Sequence, residues 1–200
     1  MIVTIPRPLP NPPIVPPTPE QIAAARAEAD ALIAATGAPE LFVNTSHGFA
    51  PSVRHVPSNL TCVFGGGSKN RLVIDASGVT CTTESPFMAI DLRAMRIAKP
   101  TPEADRASAA AEAIRGTLQV STPPKALGPA FAIDKRSFGQ AYSVDGERET
   151  RKVFVWVGAI NGKEWALTQE VTSPSQMISR ISGEGLLKMT FLRLSGVSPG

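Results

Sequence analysis

An Asn-Gly pair at positions 161 and 162 stands between KVFVWVGAI and KEWALTQEVT, and it constrains the fold more than any other feature of the chain. A two-residue type I′ turn needs positive φ at both positions, which Asn and Gly tolerate, so this dipeptide between β-rich runs predicts a tight hairpin. Its register would oppose Gly158 to Trp165 and Trp156 to Leu167, setting both indoles on one face. The other face of the second strand carries Glu164, Thr168 and Glu170 and is expected to be partly wet. Val153 to Ile160 is apolar without alternation, so that strand is expected to be covered on both faces, which requires a layer on each side of the sheet. Asp145-Gly146 predicts another hairpin, turning FGQAYSV into RETRKVF, and residues 121 to 130, STPPKALGPA, read as the loop leading into this meander.

A second meander lies in the first half: SVRHV, NLTCVF, NRLVID, GVTCTTE and PFMAIDL, punctuated at Pro57-Ser58, Gly65 to Ser68, Ala76 to Gly78 and Ser85-Pro86. Within it CVFGGGSKNR resembles a phosphate loop at first sight. A Walker-type loop needs G-x-x-x-x-G-K-[ST] between a strand and a helix, because the helix N-terminus and the loop N–H groups hold the anion together. Here Lys69 precedes Asn70 and the next segment, RLVIDA, is strand. The glycines are therefore expected at a hairpin tip, bringing NLTCVF beside NRLVID.

Helices are signalled three times by the same start. Thr18-Pro19, Thr101-Pro102 and Ser173-Pro174 each offer a hydroxyl N-cap followed by proline at the first helical position. Gln21 and Gln176 complete capping boxes. Ile22, Ala25, Ala29, Leu32 and Ile33 share a face of the first helix, with Gly37 as its stop. The second carries Ala107, Ala111, Ile114 and Leu118, a stripe small enough to lie close to a sheet. The third keeps its period through Ile178, Ile181, Met189 and Leu192, but Gly183 and Gly185 each cost about 1 kcal/mol relative to alanine. The order helix, meander, helix, meander, helix with hairpin connections predicts an α+β fold, a largely antiparallel sheet covered by helices as an α/β/α sandwich. At 200 residues and 42% hydrophobic, the chain suits one such domain, over 19 to 195. Residues 6 to 19, PRPLPNPPIVPPTP, are more than half proline, so 1 to 18 read as an extended polyproline spacer. A ligand for a proline-recognition domain is the functional alternative for that segment.

Cys62 and Cys81 fall on strands that this meander would place in one small sheet, adjacent or one apart. A bridge between them is preferred over two buried thiols; it would contribute roughly 3 kcal/mol and persist only in an oxidising compartment. The expected location is then the periplasm or the extracellular space, with an export signal removed from ahead of Met1. An anchor upstream of the spacer would tether the domain to a membrane. The net charge of +3 comes without a basic run, which gives no support to nucleic-acid binding, and no apolar stretch approaches the roughly 20 residues of a transmembrane helix.

The densest functional-looking cluster is VRHVPSNLTC, with Arg54, His55, Ser58 and Cys62. A hydrolase would use His55 with Ser58, or a cysteine thiol, yet no G-x-S-x-G or comparable signature is present. The other reading of His55 is a hydrogen-bonded strand histidine. His47, His55, Cys62 and Cys81 have ligand atoms for zinc but not the close-paired spacing of such sites, and neither metal nor cofactor is expected. Asn44-Thr45-Ser46 and Asn59-Leu60-Thr61 match the glycosylation sequon, relevant only in a eukaryotic secretory route. Trp156 and Trp165 either line a ligand groove or pack beneath a helix. The candidate binding residues are Arg54, His55, Trp156 and Trp165.

In its order of elements the chain is similar to the PsbP and Mog1 type of sandwich, a resemblance that carries no functional residue. The stretch VRHVPSNLTCVF with its later cysteine resembles uncharacterised exported proteobacterial proteins over about the middle third of the chain. The expectation is a non-enzymatic exported protein of the bacterial envelope that binds an unknown protein or small ligand through its sheet or loops. An envelope hydrolase is the alternative, and a subunit of a larger envelope complex is a third.

Overall fold

The computed structural model describes residues 15–98, 102, 105–118, 125–131, 138–145 and 149–174. Most of the proline-rich stretch and everything after Pro174 therefore lie outside the described residues, the third helix's apolar face and its glycines included.

Helix α1, Pro19–Ala35, starts as its sequence requires. Thr18 Oγ1 accepts from the Gln21 N–H (3.3 Å), and Gln21 Oε1 accepts from the Thr18 N–H (2.9 Å), closing the capping box. Ala25, Ala29 and Ile33 are its buried residues, and Gly37 follows at φ +73°. A 3₁₀ turn, Pro39–Leu41, leads into strands β1 (Phe42–Asn44), β2 (Ser52–His55) and β3 (Leu60–Val63), which form a small antiparallel sheet in that order. Next come β4 (Lys69–Asp75), β5 (Gly78–Ser85), β6 (Met88–Arg96), helix α2 (Arg106–Leu118), β7 (Lys125–Phe131), β8 (Phe138–Asp145), β9 (Glu149–Ile160) and β10 (Lys163–Pro174). The seven strands form one antiparallel sheet ordered β4-β5-β6-β10-β9-β8-β7. The chain is thus α+β, with two antiparallel sheets and two helices among the described residues.

The Asn161-Gly162 turn has the positive φ values its type demands, 52° and 71°, and pairs Gly158 with Trp165 and Trp156 with Leu167 as expected. Along β9 the side chains divide between two cores. Phe154 and Trp156 join a cluster with Trp165, Leu167, Leu92 and Leu72, closed from above by Phe42, Val53, Leu60, Cys62 and Phe64 of the small-sheet region and by Ala29 and Ile33 of α1. Val153, Val155 and Val157 point the other way, against Ala110 and Ile114 of α2. Both faces are covered, which is why β9 lacks alternation.

The structure departs from the sequence expectation at several places. The glycine-rich segment does not join two strands of one sheet: β3 belongs to the small sheet and β4 to the edge of the large one. Leu60, Cys62 and Phe64 face Leu72 and Cys81 across a shared core, so the chain must step between layers, where a tight hairpin would have kept both strands in one plane. Gly67, at φ +73°, makes the turn, and Ser68 N–H donates to the Gly65 carbonyl. Cys62 and Cys81 consequently sit on different sheets. Of the face expected to be partly wet, Thr168 and Glu170 are buried and Glu164 is half-buried; Arg106 of α2 pairs with Glu164 at 3.5 Å and Arg151 of β9 with Glu170 at 2.5 Å. Helix α2 begins at Arg106 because a turn, with Asp105 N–H donating to the Pro102 carbonyl, intervenes after Pro102. Its buried apolar residues are Ala110 and Ile114, Arg106 is buried at its start, and Ala107 is exposed. Ser173 and Pro174 end β10, opposite Thr150 and Glu149, and do not open a helix. The expected loop at 121 to 130 contains most of β7, an edge strand whose register shifts between Leu127 and Phe131, the kind of position where Pro129 is tolerated.

Candidate functional site

Pro57 to Asn59 turn the chain from β2 to β3, and His55 stands at the start of that turn, 4% exposed. Its Nδ1 lies 2.7 Å from Ser58 Oγ, and that oxygen also accepts from the Leu60 N–H at 3.3 Å. The hydroxyl thus closes a side-chain-to-backbone turn in which Asn59 takes φ +56°. The ring is tilted against Phe42 (centroids 5.3 Å apart) and meets Trp165 edge-on at 5.9 Å. Burial favours the neutral imidazole and pushes its pKa down to about 4.

His55 and Trp165 form the inner wall of a cleft of about 230 Å³, open to solvent on one side. Pro57 comes from the β2–β3 turn, Ile74 to Gly78 from the β4–β5 turn, and Arg96 and Lys163 from adjacent strands of the large sheet. The β4–β5 turn is built by one carboxylate oxygen. Asp75 Oδ1 accepts from the Ser77 N–H (2.7 Å), the Ser77 hydroxyl (2.5 Å) and the Gly78 N–H (3.2 Å). The Ser77 hydroxyl bond, ahead of the backbone bond from the same residue, holds the Asp75 carboxyl below its ordinary pKa. Arg96 lies directly across from Trp165 and donates its backbone N–H to the Ser77 carbonyl at 3.1 Å, tying the sheet to the turn.

Of the four residues singled out in the sequence, the fold brings His55 and Trp165 together and separates the rest. Arg54 is exposed, because alternation along β2 turns it away from the core that His55 faces. Trp156 is 2% exposed and packs in that core without lining the cleft. The indole N–H groups of Trp156 and Trp165 have no acceptor among the described residues. Sequence reasoning missed Asp75, Ser77, Arg96 and Lys163. Lys163 was within reach, since the hairpin register places it on the face of Trp165; Arg96 depends on the β6–β10 pairing, for which no local signal exists.

Cys62 and Cys81 form a disulfide that joins the small sheet to the large one, with Cα atoms 6.2 Å apart. The expectation of two sulfurs within one sheet is overturned while the bond itself is present. Both cysteines are engaged in this bridge, and neither is a free thiol in this structure. Ser58 is fully buried, and the hydroxyl in contact with His55 is therefore shut away from any substrate in this conformation. His47 is exposed, its Nδ1 2.9 Å from the Thr45 carbonyl, and among the described residues no three His, Cys, Asp or Glu side chains cluster as metal ligands. Asn44 of the first sequon spends its amide on Asp30 and on the Arg26 carbonyl. No helix is long and apolar enough to cross a membrane among the described residues. No protein-family model and no curated protein matches the chain.

Proposed function

We propose that this chain is a non-enzymatic binding module of the bacterial envelope, exported and held off its anchor by the proline-rich segment, which takes its ligand at the cleft walled by His55 and Trp165. The observation that carries the binding reading is the state of the imidazole: its hydroxyl partner, Ser58, is fully buried and engaged with the Leu60 N–H, while the cleft beside it is lined with recognition groups. The inter-sheet disulfide supports export, since such bridges persist in oxidising compartments. The finer architecture, an α/β/α sandwich of the PsbP and Mog1 type, belongs to the same proposal.

The rival, a hydrolase using His55 and Ser58, has one observation in its favour, their 2.7 Å contact. Labelling of the native protein with a fluorophosphonate and with iodoacetamide separates the two. A protein that takes up neither reagent, with both sulfurs oxidised by non-reducing mass analysis, is the expected result. Stoichiometric fluorophosphonate adduct at Ser58, lost in His55→Ala, would overturn the binding reading.

A further inference from the structure

The side chains that wall the cleft define the chemistry of a ligand that would fit it. Trp165 and Arg96 are cross-strand partners, and Lys163 lies two residues before Trp165 on the same strand, so pleating places all three side chains on one face of the sheet. Elsewhere on the large sheet and on α2 three basic side chains have acidic partners, Arg93 with Asp91, Arg106 with Glu164 and Arg151 with Glu170, while Lys69, Arg71 and Arg115 form no ion pair among the described residues. Arg96 and Lys163 form no ion pair among the described residues. The acid that shares their cleft, Asp75, directs one oxygen to three donors of its own turn and is committed to structure. Of the remaining walls, Pro57, Ile74, Ala76 and Trp165 offer apolar surface, beside His55, Ser77 and Gly78. The volume of about 230 Å³ equals the space of about eight waters, well below that of a drug-sized site.

We propose that this cleft binds a small organic monoanion, a carboxylate on a compact apolar body, with the carboxylate held by Arg96 and Lys163 and the body against Trp165, Ile74 and Pro57. This deepens the binding reading above and rests on it. Two cations at the mouth give charge-assisted hydrogen bonds to a carboxylate, and the small apolar volume behind them sets the size of the body. A ligand this small is held in the millimolar range, because only its charge and one compact apolar group contribute.

Benzoate is the probe, titrated into the isotopically labelled full chain while the Trp165 indole N–H resonance is followed by NMR, with Trp165→Phe used to assign it. Benzoate should shift that resonance saturably and leave the Trp156 signal in place, and neutral benzamide should not. Arg96→Gln and Lys163→Gln should each weaken the affinity by about tenfold, the loss of one charge-assisted contact, and the double variant should show no saturation. Both side chains are exposed, so an unchanged thermal midpoint in each variant confirms that folding is intact. Benzamide binding as well as benzoate, an unaltered affinity in the double variant, or no saturable shift would each overturn the proposal. Inorganic phosphate displacing benzoate at equal concentration would overturn the part assigned to the apolar body. Failure with benzoate in a protein that also resists fluorophosphonate removes the ligand class and leaves the binding module standing; a Ser58 adduct removes both.

Discussion

At the scale of the residue, His55 shows how burial decides between two chemistries that one side chain can perform. The same imidazole on a wet strand would titrate near its ordinary value of 6.5; enclosed between Phe42 and Trp165 it is pushed down to about 4 and stays neutral. A base whose folded pKa is depressed binds fewer protons in the folded state than in the unfolded one between those two values. Its contribution to stability is therefore fully present above pH 6.5 and is lost as the pH falls from there towards 4. A tenfold change in proton affinity corresponds to about 1.4 kcal/mol, and the open cleft on one side of the ring screens part of the effect, leaving a loss of about 2 kcal/mol across the window. Urea unfolding at pH 7 and at pH 4, compared between the wild type and His55→Gln, measures this, and the variant should lose that part of the pH dependence. The sequence revealed that His55 and Ser58 could meet; that Ser58 would be sealed depended on the layer packed over it.

At the scale of the element, local chemistry was legible wherever it involved neighbours in the chain. The Thr18 capping box, the Asn161-Gly162 hairpin and its register, and the punctuation of β4, β5 and β6 follow from residues a few positions apart. Pairings between distant strands were not, and Gly78 shows what packing against a neighbouring strand imposes. At φ +151° its missing Cβ leaves room for that strand: a carbon added there would lie 1.9 Å from the Ala94 carbonyl oxygen. Neither atom can retreat without breaking the β5–β6 ladder. Gly78→Ala should therefore destabilise the fold by about 3 kcal/mol or more in chemical denaturation, whereas Gly66→Ala, which meets nothing within 4 Å, should change it by less than about 0.5 kcal/mol. Equal effects at the two glycines would contradict the β5–β6 packing. Strand β7 was hidden in its sequence for a related reason, since an edge strand interrupted by proline has few local marks and exists because β8 offers a partner.

At the scale of the whole molecule, the Cys62–Cys81 bridge joins the two sheets across the core they share. Its sequence separation of 19 closes a loop for which removal of the cross-link should lower stability by about 3 kcal/mol. Cys62→Ala with Cys81→Ala, unfolded in urea beside the oxidised wild type, should show that loss, and thiol reagent should shift the wild type towards the variant. A variant as stable as the oxidised protein would mean that the sheets are held by packing alone. The cleft lies at the same junction, built from the β2–β3 turn of one sheet and the β4–β5 turn and two adjacent strands of the other.

By itself the sequence determined the α+β class, most strand positions, one helix start, the register of the longest hairpin and the identity of the cysteine pair. All of these rest on turn geometry, capping and periodicity, which act within a few residues, or on there being only two sulfurs to join. Only the tertiary structure decided that β3 leaves the plane of β4, that Glu164 meets Arg106 of α2 and Glu170 meets Arg151 of β9, and that Arg96 comes to stand beside Trp165. Those outcomes are set by where apolar faces find a common core and by hydrogen bonding between strands far apart in the chain, and neither leaves a mark at any single stretch of residues.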